Sequence, residues 1–308
     1  MMRRAVNSID NLNSLMIVGA YFAAHFIPFD LLVFSYVFLG PAHYITEISW
    51  LYDKKYFLKK ETDVLLLAII CLLMFFFGNL YLTLIGFTLC YFLMAVTNLS
   101  ASNKWILSIS YGIVLLAFSA TPQYLALVSL LPTLIHVYIF TAGFMLLAIL
   151  KKMNPAGLVS FALLMTCGLS FFLPGIYPQA LASSIFTEID LSGLYTSPIM
   201  LFNLQPGYEW INRLAGFAAF AYTYHYLNWF SKVEIIKWHR ISRLRLVVLT
   251  LIYFSLVSIY IYDANFGLKV ILFLSFSHVI LELPLNAVCF SEIAQTLIAV
   301  LRGRKTSG

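Results

Sequence analysis

The residues in this chain that could do chemistry lie where ionisable groups are costly. Of its six histidines, His25, His43, His136, His225 and His278 fall inside long apolar runs, and only His239 lies in a polar stretch. Two carboxylates, Glu47 and Glu282, share that setting, with no Lys or Arg deep in the same runs. Imidazole is a ligand for iron, zinc, copper and nickel and also carries protons near neutral pH. The chemistry on offer is therefore metal binding or proton relay. Ionisable groups within hydrocarbon mark ion, proton or substrate sites by default.

Spacing sharpens this. His43 and Glu47 are four apart, as are His278 and Glu282. Residues at i and i+4 share one helix face, so each pair points one way. A carboxylate placed so serves either as a direct ligand or as the acceptor that fixes a neighbouring imidazole, which makes Glu47 and Glu282 the candidate catalytic pair. Each buried acid costs about 2.5 to 3.5 kcal/mol on insertion scales. A bound di-cation offsets both, since structural metal sites contribute on the order of 10 kcal/mol.

The elements that must position these groups are membrane helices. The chain has 308 residues, 62% hydrophobic and 10% charged, with a mean hydropathy of +0.90; soluble domains carry about 25% charge. This composition excludes a soluble catalytic domain, a nucleic-acid reader and a disulfide scaffold. Cys71, Cys90, Cys167 and Cys289 lie in apolar runs without metal-ligand spacing. The expected fold is an all-α polytopic bundle in one domain, 1–308. Ten spans are expected, at 11–27, 31–52, 62–77, 80–99, 104–120, 124–150, 155–174, 207–231, 244–262 and 266–284. An outer connector covers 179–206, and an interfacial helix covers 285–301 after Pro284. The first span has no convincing cleavage site behind it and reads as a retained helix rather than a signal peptide.

Ten spans with a cytoplasmic N-terminus put 17 of the 19 basic residues on the cytoplasmic side, as the positive-inside rule requires. Both termini are then cytoplasmic. Arg213 and Lys269 fall toward the other side, with Glu209 and Asp263 within reach. The net charge of +6 is thus explained by topology, and no polyanionic partner is implied. The partners expected are the bilayer, the inner membrane in a bacterium, and a lipophilic small molecule. Counting depth at about 1.5 Å per residue, His43, His136 and His278 each lie about 12 residues below the outer end of a descending span. His225 lies about 18 residues in, and His25 sits near the outer surface, apart from the rest. The expected metal ligands are therefore His43, His136, His225 and His278.

Three segments carry a family resemblance. Ala42-His43-Tyr-Ile-Thr-Glu47 resembles the Pro-His-Gly-Ala-x-Asp motif of the bacterial integral-membrane beta-carotene dioxygenases, the bacteriorhodopsin-related-protein-like family. Ser277-His278-Val-Ile-Leu-Glu282 resembles that family's late Pro-His-x-Ile-Leu-x-Asp motif, and the stretch from Tyr222 to Phe230 resembles its third motif. Met94 to Asn98 stands where the family has its second histidine motif, and Trp229 stands where the third motif has its second histidine. The resemblance implies a membrane-embedded non-haem iron oxygenase, with His43 and His225 carried over as ligands. Zinc stays open as the metal, because imidazole suits both. Two other readings of the same residues are a transporter or proton-linked channel with a His/Glu relay, and haem ligation by two mid-depth histidines.

Overall fold

The structure, a computed structural model, describes residues 2–54, 109, 135–175 and 208–302. Among the described residues the regular secondary structure is all helix. The helices are α1 (Met2–Phe26), α2 (Pro28–Phe34), α3 (Gly40–Lys54), α4 (Thr141–Lys151), α5 (Pro155–Ser170), α6 (Tyr208–Ser231), α7 (Val233–Ile236), α8 (Arg243–Tyr262) and α9 (Ala264–Leu301). Two π-helical turns, Ser35–Leu39 and Ile135–Phe140, run directly into α3 and α4.

Local chemistry sets most of the boundaries. Pro28 opens α2, where its missing N–H costs nothing. Asn154 caps α5 by accepting from the Ala156 amide, with Pro155 next in line. Ser242 and Asp263 cap α8 and α9 in the same way. Asp263 is therefore spent on the helix start, and among the described residues Lys269 forms no ion pair with it. Arg213 pairs with Glu209 as expected, and it also donates to the carbonyls of Phe171 and Leu173 at the end of α5.

Packing is built around α6 and α9. Helix α6 lies against α1, α2 and both π turns, while α9 lies against α3, α4 and α8. Ile17, Ala20 and Ala24 form the buried stripe of α1, meeting Ala215, Ala219 and Phe220 of α6. Small residues let these helices approach closely, as in membrane bundles. The α8–α9 hairpin is closed by Gly267, where any Cβ would fall on the backbone of Tyr260.

Two helical stretches, Pro28–Lys54 and Arg243–Tyr262, are long and apolar enough to cross a membrane. The second is α8, whose Leu244, Val247, Leu251, Phe254 and Ile261 are exposed. Shorter apolar helical stretches cover His136–Lys151, Pro155–Ser170, Phe266–Val279 and Val288–Leu301. The expected spans 62–77 and 80–99 lie outside the described residues. So do the connector 179–206 and all of 104–120 except position 109. The structure thus supports helices and two candidate spans; the count of ten and the side of the termini rest on the sequence pattern alone.

One boundary differs from expectation. Residues 264–301 form a single helix of 38 residues that runs through position 284 instead of ending there. An interior proline removes one hydrogen bond and costs about 3 kcal/mol, a penalty that packing on both sides of it can outweigh. Asn286 and Ile293 are buried beyond it. At about 57 Å this helix exceeds the roughly 30 Å hydrocarbon core, so it cannot lie wholly within one.

Candidate metal centre

Helix α3 presents His43 and Glu47, the second π turn His136, α6 His225, and α9 His278 and Glu282. All six side chains are buried. One ring nitrogen from each of the four histidines lies within 4.8 Å of the others. The rings form a closed circuit: centroids are 4.7 Å apart from His43 to His225, 4.8 Å from His225 to His136, 4.8 Å from His136 to His278 and 5.2 Å from His278 to His43. Each neighbour stands steeply across the next, with interplanar angles between 68° and 83°. The Nε2 atoms of His225 and His43 are 3.1 Å apart, and those of His278 and His136 are 3.0 Å apart. Nitrogens ligating one ion at about 2.0 to 2.1 Å stand at comparable separations.

The backbone that achieves this is irregular for a reason. In a π turn the i→i+5 hydrogen bond brings residues five apart into line, as i and i+4 align in an α-helix. His136 and Thr141 are five apart, and Thr141 Oγ1 lies 2.8 Å from His225 Nδ1. Its own proton goes to the carbonyl of Val137, at 3.0 Å. The hydroxyl must then accept from His225 Nδ1–H, which leaves Nε2 of His225 as a bare lone pair facing the cluster. The first π turn acts at a distance: the Gly40 amide donates to the Ser35 carbonyl, and Ser35 Oγ meets Thr223 Oγ1 at 2.6 Å. That contact pins the π turn that leads into α3 to α6, two residues before His225.

The two carboxylates hold different positions. Glu47 Oε2 lies 2.9 Å from Nε2 of His43, the nitrogen that also meets His225. Glu282 Oε2 lies 3.0 Å from Nδ1 of His136, the nitrogen turned away from His278. Both approaches are within ion-pair distance, and neither is aligned as a hydrogen bond. Glu47 therefore faces the centre, while Glu282 backs a ligand ring. The pairing by sequence, Glu282 with His278, is replaced in space by Glu282 with His136.

Aromatic side chains close the rim. Tyr44 stacks on His278 at 4.3 Å and shares a hydrogen bond with Tyr226. Gly40 makes room for the Tyr44 hydroxyl, which would stand 2.8 Å from a Cβ there. Trp229 lies 5.4 Å from His43 and donates to Thr46 at 3.0 Å.

All four expected histidines come together, including His225, whose residue count from the helix end placed it deeper than the rest. Counting from an end ignores how far that end protrudes. His25 stands apart: it bonds the Tyr21 carbonyl and stacks on Phe171. Asn228 is buried one turn from His225, with its Oδ1 unpartnered among the described residues. The reading from sequence omitted Thr141; the signal was a hydroxyl in an otherwise apolar run after His136. No family model, no curated protein and no solved structure matches the chain.

Proposed function

We propose that this chain is a polytopic membrane protein whose histidine cluster holds one redox-active transition metal, iron by the resemblance, and oxidises a lipophilic substrate with dioxygen. The convergence of four imidazoles from four separate elements is the observation that carries this reading. Charge supports it as well. A divalent cation and the two carboxylates sum to zero, and an uncompensated buried charge is strongly destabilising. A redox-active ion held there would bind and activate dioxygen, with the lipophilic substrate, which is oxidised, as the net source of electrons.

The chain's own residues take distinct parts. His43, His136, His225 and His278 present Nε2 as ligands, and Thr141 fixes the tautomer of His225. Glu282 orients His136, and Glu47 Oε2 can ligate or accept a proton at the centre. About ten spans with both termini cytoplasmic belong to this proposal and put the cluster at mid-depth, where a carotenoid, retinoid or other lipid reaches it sideways from the bilayer. Haem ligation by this set is disfavoured by space, because between any axial pair the other two imidazoles, with ring centroids only 4.7 to 5.2 Å from their neighbours, occupy the plane a macrocycle would need.

Elemental analysis of the purified chain is the test, together with ¹⁸O incorporation from labelled dioxygen into an added carotenoid. About one iron per chain, lost in His278→Ala, is expected. Stoichiometric zinc would remove the oxygenase and keep the site; no metal at all would remove both. One observation favours the relay reading: Glu47 Oε2 lies 2.9 Å from His43 Nε2 and Glu282 Oε2 lies 3.0 Å from His136 Nδ1, so carboxylates and imidazoles form a contiguous run of proton-carrying groups. Proton-coupled transport in proteoliposomes, abolished by Glu47→Gln and indifferent to chelators, would replace the oxygenase with that reading.

A further inference from the structure

A cavity of about 190 Å³ lies where α1, α4, α5 and the end of α6 meet, with Asp10, Asn13, Met145, Lys152, Asn154 and Lys232 on its wall. Its polar groups are unbalanced. Asn13 is 2% exposed, and its Oδ1 accepts from Ser231 Oγ at 3.2 Å. The Asn13 side chain, with that oxygen engaged, is part of the cavity wall. The Lys232 ammonium makes no ion pair among the described residues. Burial lowers it from 10.5 to about 8, with Asp10 pulling the other way.

The one carboxylate present is already engaged. Asp10 accepts from the Asn154 amide and would stand 3.5 Å from a Cβ on Gly157, in the first turn of α5, where the helix dipole favours an anion. That leaves Lys152, Lys232 and Asn13 on a wall whose one carboxylate is bound to Asn154. The rest of the wall is apolar: Ile9, Phe144, Met145, Ala148 and Ile149. Surplus donors above an apolar floor suit an anion attached to hydrocarbon.

We propose that this cavity binds a phosphate group carried by an amphiphile, with Lys152, Lys232 and Asn13 as its donors. The position fits such a ligand, since Lys152 after α4 and Lys232 after α6 both line the cavity, and basic groups at a membrane face attract anionic headgroups at about 1 kcal/mol each. The proposal does not rest on a metal, and its test can fail while the histidine centre stands.

The test uses the full chain in detergent, titrated separately with dioctanoyl phosphatidylglycerol and with inorganic phosphate, read by native mass spectrometry and by thermal shift. Saturable binding is expected, weakened tenfold or more in Lys232→Met and severalfold in Lys152→Ala, and unchanged in Lys237→Ala. Lys152 is exposed, so its variant folds even if Lys232→Met does not. Binding of the phosphatidylglycerol alone identifies a lipid as the source; binding of inorganic phosphate with the same losses identifies the shared phosphate chemistry. Absence of binding by both, or equal binding in wild type and Lys152→Ala, overturns the proposal.

Discussion

Helix α6 and the residue that follows it belong to two polar regions of opposite character. His225 belongs to the buried cluster, and Lys232, seven residues on and about 10 Å along the axis, belongs to the inner cavity. Around His225 stand four imidazoles, with Nε2 of His225 left as a lone pair by its bond to Thr141, and the carboxylates of Glu47 and Glu282. Around Lys232 the surplus is of N–H donors, with the nearby carboxylate already bound to α5. That difference is the basis for proposing a cation at the first region and an anion at the second. Hydrophobicity, which the two regions share, says nothing about it.

The largest expected effect breaks the first region. His43→Ala or His278→Ala should lower metal content at least tenfold by elemental analysis, whereas Lys152→Ala leaves it unchanged. Next comes Glu47→Gln, with metal affinity reduced 10- to 100-fold in competition with a chelator. Glu282→Gln should fall at the lower end of that range, because its carboxylate backs Nδ1 of His136.

The second region should respond to pH instead. Asp10, Lys152 and Lys232 are the ionisable groups on its wall. Lys232 is protonated below about 8, so anion binding should be strongest below that value and weaken on going from pH 7 to pH 9, by up to about tenfold. The smallest effect sharpens the contrast within the centre. Thr141→Val removes one hydrogen bond worth about 1 kcal/mol, or roughly a fivefold loss in metal affinity, with anion binding in the cavity untouched.

Features with local causes could be read from the sequence. The His43–Glu47 and His278–Glu282 spacings declare a shared face, and Asn154-Pro155 declares a helix start. The ends of α6 and α8 fall within one residue of the spans expected at 207–231 and 244–262. Features with distant causes could not. Nothing near Pro284 announces that α9 continues, because the partners that sustain it come from other helices. The π turns leave no residue pattern of their own, so the alignment of Thr141 with His136 stayed hidden. The cavity has walls from four elements and no motif in any of them.

The π turns also make the centre vulnerable to the length of the chain. Each accommodates one residue beyond an ordinary helical register. Deleting one residue between His136 and Thr141 would return that stretch to regular winding with the two side chains four apart and still in line, whereas inserting one would exceed what the turn absorbs and swing everything beyond it by about 100°. Every ligand would survive such an insertion, and the ring would still come apart. The fit among the four imidazoles is held by a count of residues as much as by their kinds.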